Sequence, residues 1–155
     1  MNENEAKLKA EMYCSAAERC RSEVAMKIRS WDKAGELDDA AAGRIIAHLE
    51  KEGYLDESRY AAAFAHDKLR FCRWGRVKIR MALRQKGIAS DTLEEALDGI
   101  DEEEYLTILR DLIASRGREL RASSDYERSM KLLRFAAQRG FEPSLAGRII
   151  NIPED

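Results

Sequence analysis

The sequence predicts an all-α protein built as three tandem three-helix repeats, in an elongated array with scope for curvature. Three observations predict it. Gly and Pro are scarce, with 9 and 2 in 155 residues, while Ala, Leu, Arg, Glu and Lys dominate, a mix that favours helix. Helix start and stop signals recur often enough to mark about nine short helices. Finally, two stretches of the chain repeat elsewhere in it.

Taken in order, the first helix runs through the Glu5–Arg19 region, and Ser22 caps a second that ends before Gly35. Asp38 or Asp39 opens a third, through Ile45, Ile46 and Leu49, which stops at Gly53. Asp56 is an N-cap for a fourth, from about Glu57 to Phe71, in which Tyr60, Phe64 and Phe71 read as a core stripe. Gly75 breaks the chain before a fifth helix that stops at Gly87. Ser90 caps a sixth, and Asp101 with Glu104 has the spacing of a capping box for a seventh. A polar stretch, Arg116–Ser124, reads as a connection. The eighth helix starts near Asp125 and ends at Gly140, and Pro143 suits the first turn of a ninth.

The repeats have a register. Lys78-Ile79 and Gln85-Lys86-Gly87-Ile88 align with Lys131-Leu132 and Gln138-Arg139-Gly140-Phe141 at a constant offset of 53. Ile79, Ala82 and Leu83 then fall on Leu132, Phe135 and Ala136, and each triplet forms one helix face by its i, i+3, i+4 spacing. Burial is expected for Ile79, Leu83, Leu132 and Phe135. A second echo joins Ala42-Gly43-Arg44-Ile45-Ile46 to Ala146-Gly147-Arg148-Ile149-Ile150. The expected divisions are 1–53, with an N-terminal extension, 54–100 and 101–155. Units this small bury too little apolar surface alone, so each must stack on a neighbour.

Composition narrows the function classes. No apolar run approaches the roughly 20 residues that cross a bilayer. Met1–Glu11 alternates acids and lysines without an apolar core, so a cytoplasmic protein is expected. Cys14, Cys20 and Cys72 lack CxxC spacing and read as packing residues or bystanders. His48 and His66 have no HExxH context, and neither a GK[ST] loop nor GxSxG occurs. The expected function is therefore binding rather than catalysis, with no cofactor and no metal.

Charge is nearly balanced overall, with 27 basic and 29 acidic residues, but it is segregated. Lys68, Arg70, Arg73, Arg76, Lys78, Arg80, Arg84 and Lys86 follow one another with no acid between them. Asp91, Glu94, Glu95, Asp98, Asp101, Glu102, Glu103 and Glu104 follow with no base. Arg76, Arg80 and Arg84 share a helix flank by their i, i+4, i+8 spacing, and Trp74 sits within the run. Unrelieved positive charge calls for an acidic counterpart: this chain's own acids, an acidic protein surface or a phosphate backbone. The candidate contact residues are accordingly Arg70, Arg73, Trp74, Arg76, Lys78, Arg80, Arg84 and Lys86, with the flank arginines expected to serve docking more than folding.

The most specific local pattern is Gly53-Tyr54-Leu55-Asp56-Glu57-Ser58-Arg59-Tyr60-Ala61, followed by Arg70, Gly75, Ile79, Leu83 and Lys86-Gly87-Ile88. It resembles the signature of the RecX family of RecA regulators. Arg139-Gly140-Phe141 resembles the motif of that family's last repeat, and Arg21-Ser22-Glu23 its N-terminal entry. Glu57 and Tyr60 depart from the usual Asp and Phe, and Arg73-Trp74-Gly75 replaces a more usual Lys-Gly pair. Gly53, Tyr54, Leu55, Asp56, Arg59, Tyr60, Gly87, Arg139, Gly140 and Phe141 mark the fold more than the contact surface. The resemblance implies a negative regulator that lodges on the RecA filament on single-stranded DNA and restrains its extension, ATP hydrolysis, strand exchange and SOS coprotease activity. The alternatives on sequence grounds are a non-specific single-stranded nucleic-acid-binding module and an adaptor for another protein.

Overall fold

The computed structural model describes residues 1–151. Among them the chain forms nine helices and no strand. They are α1 (Glu3–Ala16), α2 (Arg21–Trp31), α3 (Asp39–Lys51), α4 (Glu57–Cys72), α5 (Arg76–Gln85), α6 (Ser90–Asp98), α7 (Glu102–Glu119), α8 (Asp125–Gln138) and α9 (Pro143–Ile150).

Local chemistry sets most of these boundaries. Asn2, Asp38, Asp101 and Ser124 each accept a backbone N–H of the first turn of the helix they precede, satisfying a donor that has no partner within the helix. Asp56 does the same for α4, accepting the Arg59 N–H at 3.0 Å. At the far ends, Gly53, Gly87 and Gly140 take left-handed φ values of 79°, 80° and 90°. Beyond them Tyr54, Ile88 and Phe141 donate to the carbonyls of Leu49, Leu83 and Ala136, which closes three Schellman turns.

Four expectations about boundaries need correction. The first helix ends at Ala16 and not near Arg19, because the Arg19 guanidinium folds back over the Tyr13 ring at 3.9 Å and donates to the Tyr13 carbonyl. Cys20, not Ser22, precedes α2: its N–H is taken by Glu23, while the Ser22 hydroxyl donates to the Lys86 carbonyl at 2.8 Å. The polar stretch from Arg116 stays helical as far as Glu119, and α6 opens on Ser90 itself. Gly117 is buried there, and an added Cβ would meet the Arg128 guanidinium at 2.7 Å. It leaves room for a side chain and does not stop the helix.

The chain packs as two compact units. One comprises residues 1–63 with 83–93, the other residues 64–82 with 94 onward, so the middle expected repeat contributes to both. In the first unit α1, α2 and α3 pack pairwise around Ala6, Ala10, Cys14, Val24, Ile28, Ile45, Leu49 and Leu55. In the second, α7, α8 and α9 pack pairwise, with Tyr105, Leu109, Leu132, Ala136, Phe141 and Ala146 buried. Ile79, Leu83 and Leu132 are buried as the repeat register requires.

Two aromatic expectations do not hold. Phe135 is half-buried, its ring lying 5.3 Å from the Arg116 guanidinium and 5.5 Å from that of Arg139, while Ala136 takes the core position. Ala82 at the matching position is likewise half-buried, so the register holds and the site is peripheral in both repeats. Phe71 is 81% exposed and belongs to no core stripe.

Gly43 offers a direct check on α3. It sits inside the helix, its φ is outside the left-handed region, and an added Cβ meets nothing within 4 Å. Gly43→Ala should therefore raise stability by about 0.5–1 kcal/mol, since alanine loses less backbone entropy on folding. A thermal melt followed by circular dichroism should show a gain of roughly 1–4 °C.

Candidate functional site

The residues that carry the family resemblance are first of all fasteners. In the first unit, Arg59 donates to Glu18 at 2.7 Å and to the carbonyls of Gly53 and Tyr54, tying the start of α4 to the α1–α2 link. Arg21 grips Glu50 through two N–H groups and lies 3.6 Å from Glu57. These carboxylates line a cleft of about 340 Å³ with Leu55 and Asp56, but both are held by the same guanidinium and form no acid–base pair. Leu55 and Tyr60 are buried and Tyr54 is half-buried against the α1–α3 core. Lys86, a candidate contact residue, instead reaches Glu23 at 3.4 Å.

In the second unit a polar network fixes the start of α5. The Arg76 backbone N–H donates to the Tyr105 hydroxyl at 3.1 Å, and that hydroxyl donates to Glu142. The Arg76 guanidinium lies 3.8 Å over the Tyr105 ring, donates to Glu142 at 2.7 Å and also pairs with Glu102. Burial works to raise the Glu142 carboxyl, but the Tyr105 and Arg76 donors outweigh it and hold its pKa below the ordinary 4.5. Burial, followed by the neighbouring Glu142, pushes the Tyr105 phenol far above its usual value.

Beside this network two backbones touch. The Gly75 N–H donates to the Arg139 carbonyl at 2.8 Å and the Val77 N–H to that of Gly140 at 2.9 Å. Gly75 is thus more than a helix break, because a Cβ there would meet the Phe141 nitrogen at 2.5 Å. Arg139 completes the joint by donating to the Cys72 carbonyl, and Phe141 packs on Tyr105 with ring centroids 5.2 Å apart.

The basic run consequently divides. Arg70 pairs with Glu104 at 2.5 Å, Arg80 with Glu94 at 2.7 Å, and Arg76 and Lys86 pair as described. Three of these partners, Glu94, Glu102 and Glu104, come from the acidic run. The expectation that the flank arginines serve docking more than folding is therefore corrected for Arg76 and Arg80. The helical twist turns the Arg76 and Arg80 side chains inward, to 17% and 29% exposure, onto acids of the same chain.

Arg73, Lys78 and Arg84 have no carboxylate partner among the described residues, and neither has Lys68, which the candidate set omitted. Arg84 stands exposed on its own. The other three gather around Trp74. The ammonium groups of Lys68 and Lys78 lie 4.7 and 4.6 Å from the centre of its ring, which also packs edge-on to Phe64. With cations already on the indole, Trp74 positions lysines and is a poor platform for stacking a base. No group of three or more His, Cys, Asp or Glu able to hold a metal ion occurs among the described residues. No helix among them is long and apolar enough to cross a membrane.

A helical chain of tandem three-helix repeats, fastened by partly buried ion pairs, with Lys68, Arg73, Lys78 and Arg84 lacking a carboxylate partner among the described residues, defines a protein of the helical-repeat class. Comparison with known proteins specifies it further. Residues 56–97 match the family model of the RecX second three-helix domain, and residues 102–150 that of the third. The chain is 30% identical over 148 residues to Regulatory protein RecX of Leptothrix cholodnii, spanning 92% of this chain and 85% of that protein. It is 38% identical over 106 residues to the protein of that name from Clostridium botulinum strain Alaska E43, spanning 67% of this chain and 49% of that one. This chain belongs to the RecX family. The chain spans about half the length of the first of the curated relatives it matches, 49% in the Clostridium botulinum proteins and 45% in that of Lactobacillus delbrueckii. Its fold is that of solved RecX structures. The crystal structure of RecX from Lactobacillus salivarius superposes with a TM-score of 0.85 over 96% of this chain and 94% of that one, at 21% identity. A second crystal structure, of regulatory protein RecX, gives 0.84 over 97% of this chain and 73% of that one, at 23% identity.

Proposed function

We propose that this protein is a negative regulator of the RecA recombinase. It binds the RecA filament on single-stranded DNA and restrains filament extension, ATP hydrolysis, strand exchange and SOS coprotease activity. The observation that carries this reading is membership of the RecX family, matched through two successive three-helix domains. The protein acts in the cytoplasm by occupying a surface, with no cofactor and no chemical step of its own. Its three repeats, 1–53, 54–100 and 101–155, supply the scaffold. Among the candidate contact residues, Arg73, Trp74, Lys78 and Arg84 face the partner, whereas Arg70, Arg76, Arg80 and Lys86 serve the fold.

The test is RecA's DNA-dependent ATPase on single-stranded DNA, titrated with this protein. The rate should fall at well below one molecule per recombinase subunit, because a chain that blocks extension acts on many subunits at once. An unchanged rate at equimolar protein would refute the proposal.

A further inference from the structure

Three exposed apolar side chains flank the Trp74 cluster, and no core packing accounts for them. Phe71, at the end of α4, is 81% exposed, and Val77 and Met81 on α5 are 40% and 56% exposed. Val77 and Met81 are four residues apart and so lie one above the other on the outward side of α5. Met81 is one helical turn from Lys78, and Phe71 is one turn from Lys68, the two lysines that share the Trp74 ring. Arg73 stands between the helices in a left-handed conformation, φ 54°, which is uncommon for any residue but glycine. These residues all belong to the second compact unit.

We infer that Phe71, Val77 and Met81 form a docking face for an acidic protein surface that presents an apolar side chain of its own. This rests on the proposal above that the partner is a protein filament, and it names the part of this chain that meets it. Two features select the occupant. Lys68, Arg73 and Lys78 are spare cations around the apolar residues, so the complementary rim is acidic. Val77 and Met81 gain nothing from a phosphate backbone, and the indole that could stack on a base already carries its lysines, so nucleic acid leaves the apolar centre unused. Methionine and aromatic residues at the centre with arginine beside them are the composition of a protein interface core.

The test uses the full chain and RecA filaments assembled on oligo(dT) with a slowly hydrolysed ATP analogue, read by fluorescence anisotropy. Phe71→Gln, Val77→Thr and Met81→Gln are combined in one variant, which keeps every charge and changes only exposed side chains. Filament binding should weaken at least tenfold, and the loss should persist at about 0.5 M salt, where exposed charges are screened within a few ångströms. Arg73→Glu should weaken binding chiefly at low salt. Val77→Thr with Met81→Gln serves as a second variant should the triple variant fold poorly, and should weaken binding several-fold. A variant that folds and binds the filament as the wild type does would overturn the docking face and leave RecA regulation standing. A wild type that fails to bind the filament would overturn both. Loss of binding to free oligo(dT) in parallel with the filament would assign the face to nucleic acid and overturn the inference as well.

Discussion

Gly140→Ala is expected to cost about 3 kcal/mol or more, from left-handed strain added to overpacking. At this size that lowers the melting temperature by roughly 6–12 °C. Two effects act at one position. The φ of Gly140 is 90°, where an L side chain crowds its own backbone. The added Cβ would also meet the Lys78 backbone nitrogen at 2.6 Å and the Lys78 Cα at 3.0 Å, and a backbone inside α5 cannot swing aside as a side-chain end can. Relief requires parting α5 from the α8–α9 turn, which breaks the bonds from Gly75 and Val77 to Arg139 and Gly140. Gly35→Ala separates the two effects. Its φ is 70° but a Cβ there meets nothing within 4 Å, so about 1–2 kcal/mol of left-handed strain is all it should show. Urea titrations of both variants provide the comparison, and equal losses would mean that the close approach contributes nothing.

Arg76→Glu should be the second severe change, costing about 2–3 kcal/mol, less than the loss at a fully buried ion pair because Glu142 and Glu102 keep 28% and 59% of their side-chain surface exposed. The new carboxylate would face Glu102 and Glu142 across the Tyr105 ring, with only Arg80, already paired with Glu94, as a nearby cation. Arg84→Glu, on the same helix but exposed, should stay within about 0.5 kcal/mol of wild type. The pH dependence follows from Glu142. Its folded pKa lies below the ordinary 4.5, so its stabilising contribution is complete above that value and is lost as pH falls through the lower, folded value. Acid should therefore destabilise the wild type more steeply below pH 4.5 than it does Arg76→Glu, in which the cation that lowers Glu142 is gone. Parallel acid curves for the two proteins would count against the network.

How far the sequence can be read depends on the range of each interaction. Asp56, Asp101 and the glycines at 53, 87 and 140 act within a few residues of themselves, so their type and spacing suffice to announce caps and turns. Arg19 acts just as locally, but through its guanidinium on the Tyr13 ring and carbonyl, which helix-stop patterns do not encode. Gly117 looks like part of a polar link in one dimension because its reason, the Arg128 guanidinium, lies on the next helix. Periodicity alone puts Phe71 in a core stripe, and periodicity cannot say whether a neighbour arrives to cover the far end of a helix.

By itself the sequence determined the helical class, the number and order of the helices, the repeat register and the family, since each rests on short-range patterns or on motifs in order along the chain. Only the tertiary structure decided which charges are spare. Eight consecutive cations look alike in one dimension. Yet Arg70, Arg76, Arg80 and Lys86 find Glu104, Glu102 with Glu142, Glu94 and Glu23 at separations of 14 to 66 residues. Arg73, Lys78 and Arg84 find none among the described residues. The physical reason is that an ion pair needs approach within a few ångströms in three dimensions, and the Coulomb gain beyond that distance is lost to water. Charge order along the chain therefore proposes partners, and only the packing of α5 against its neighbours selects among them.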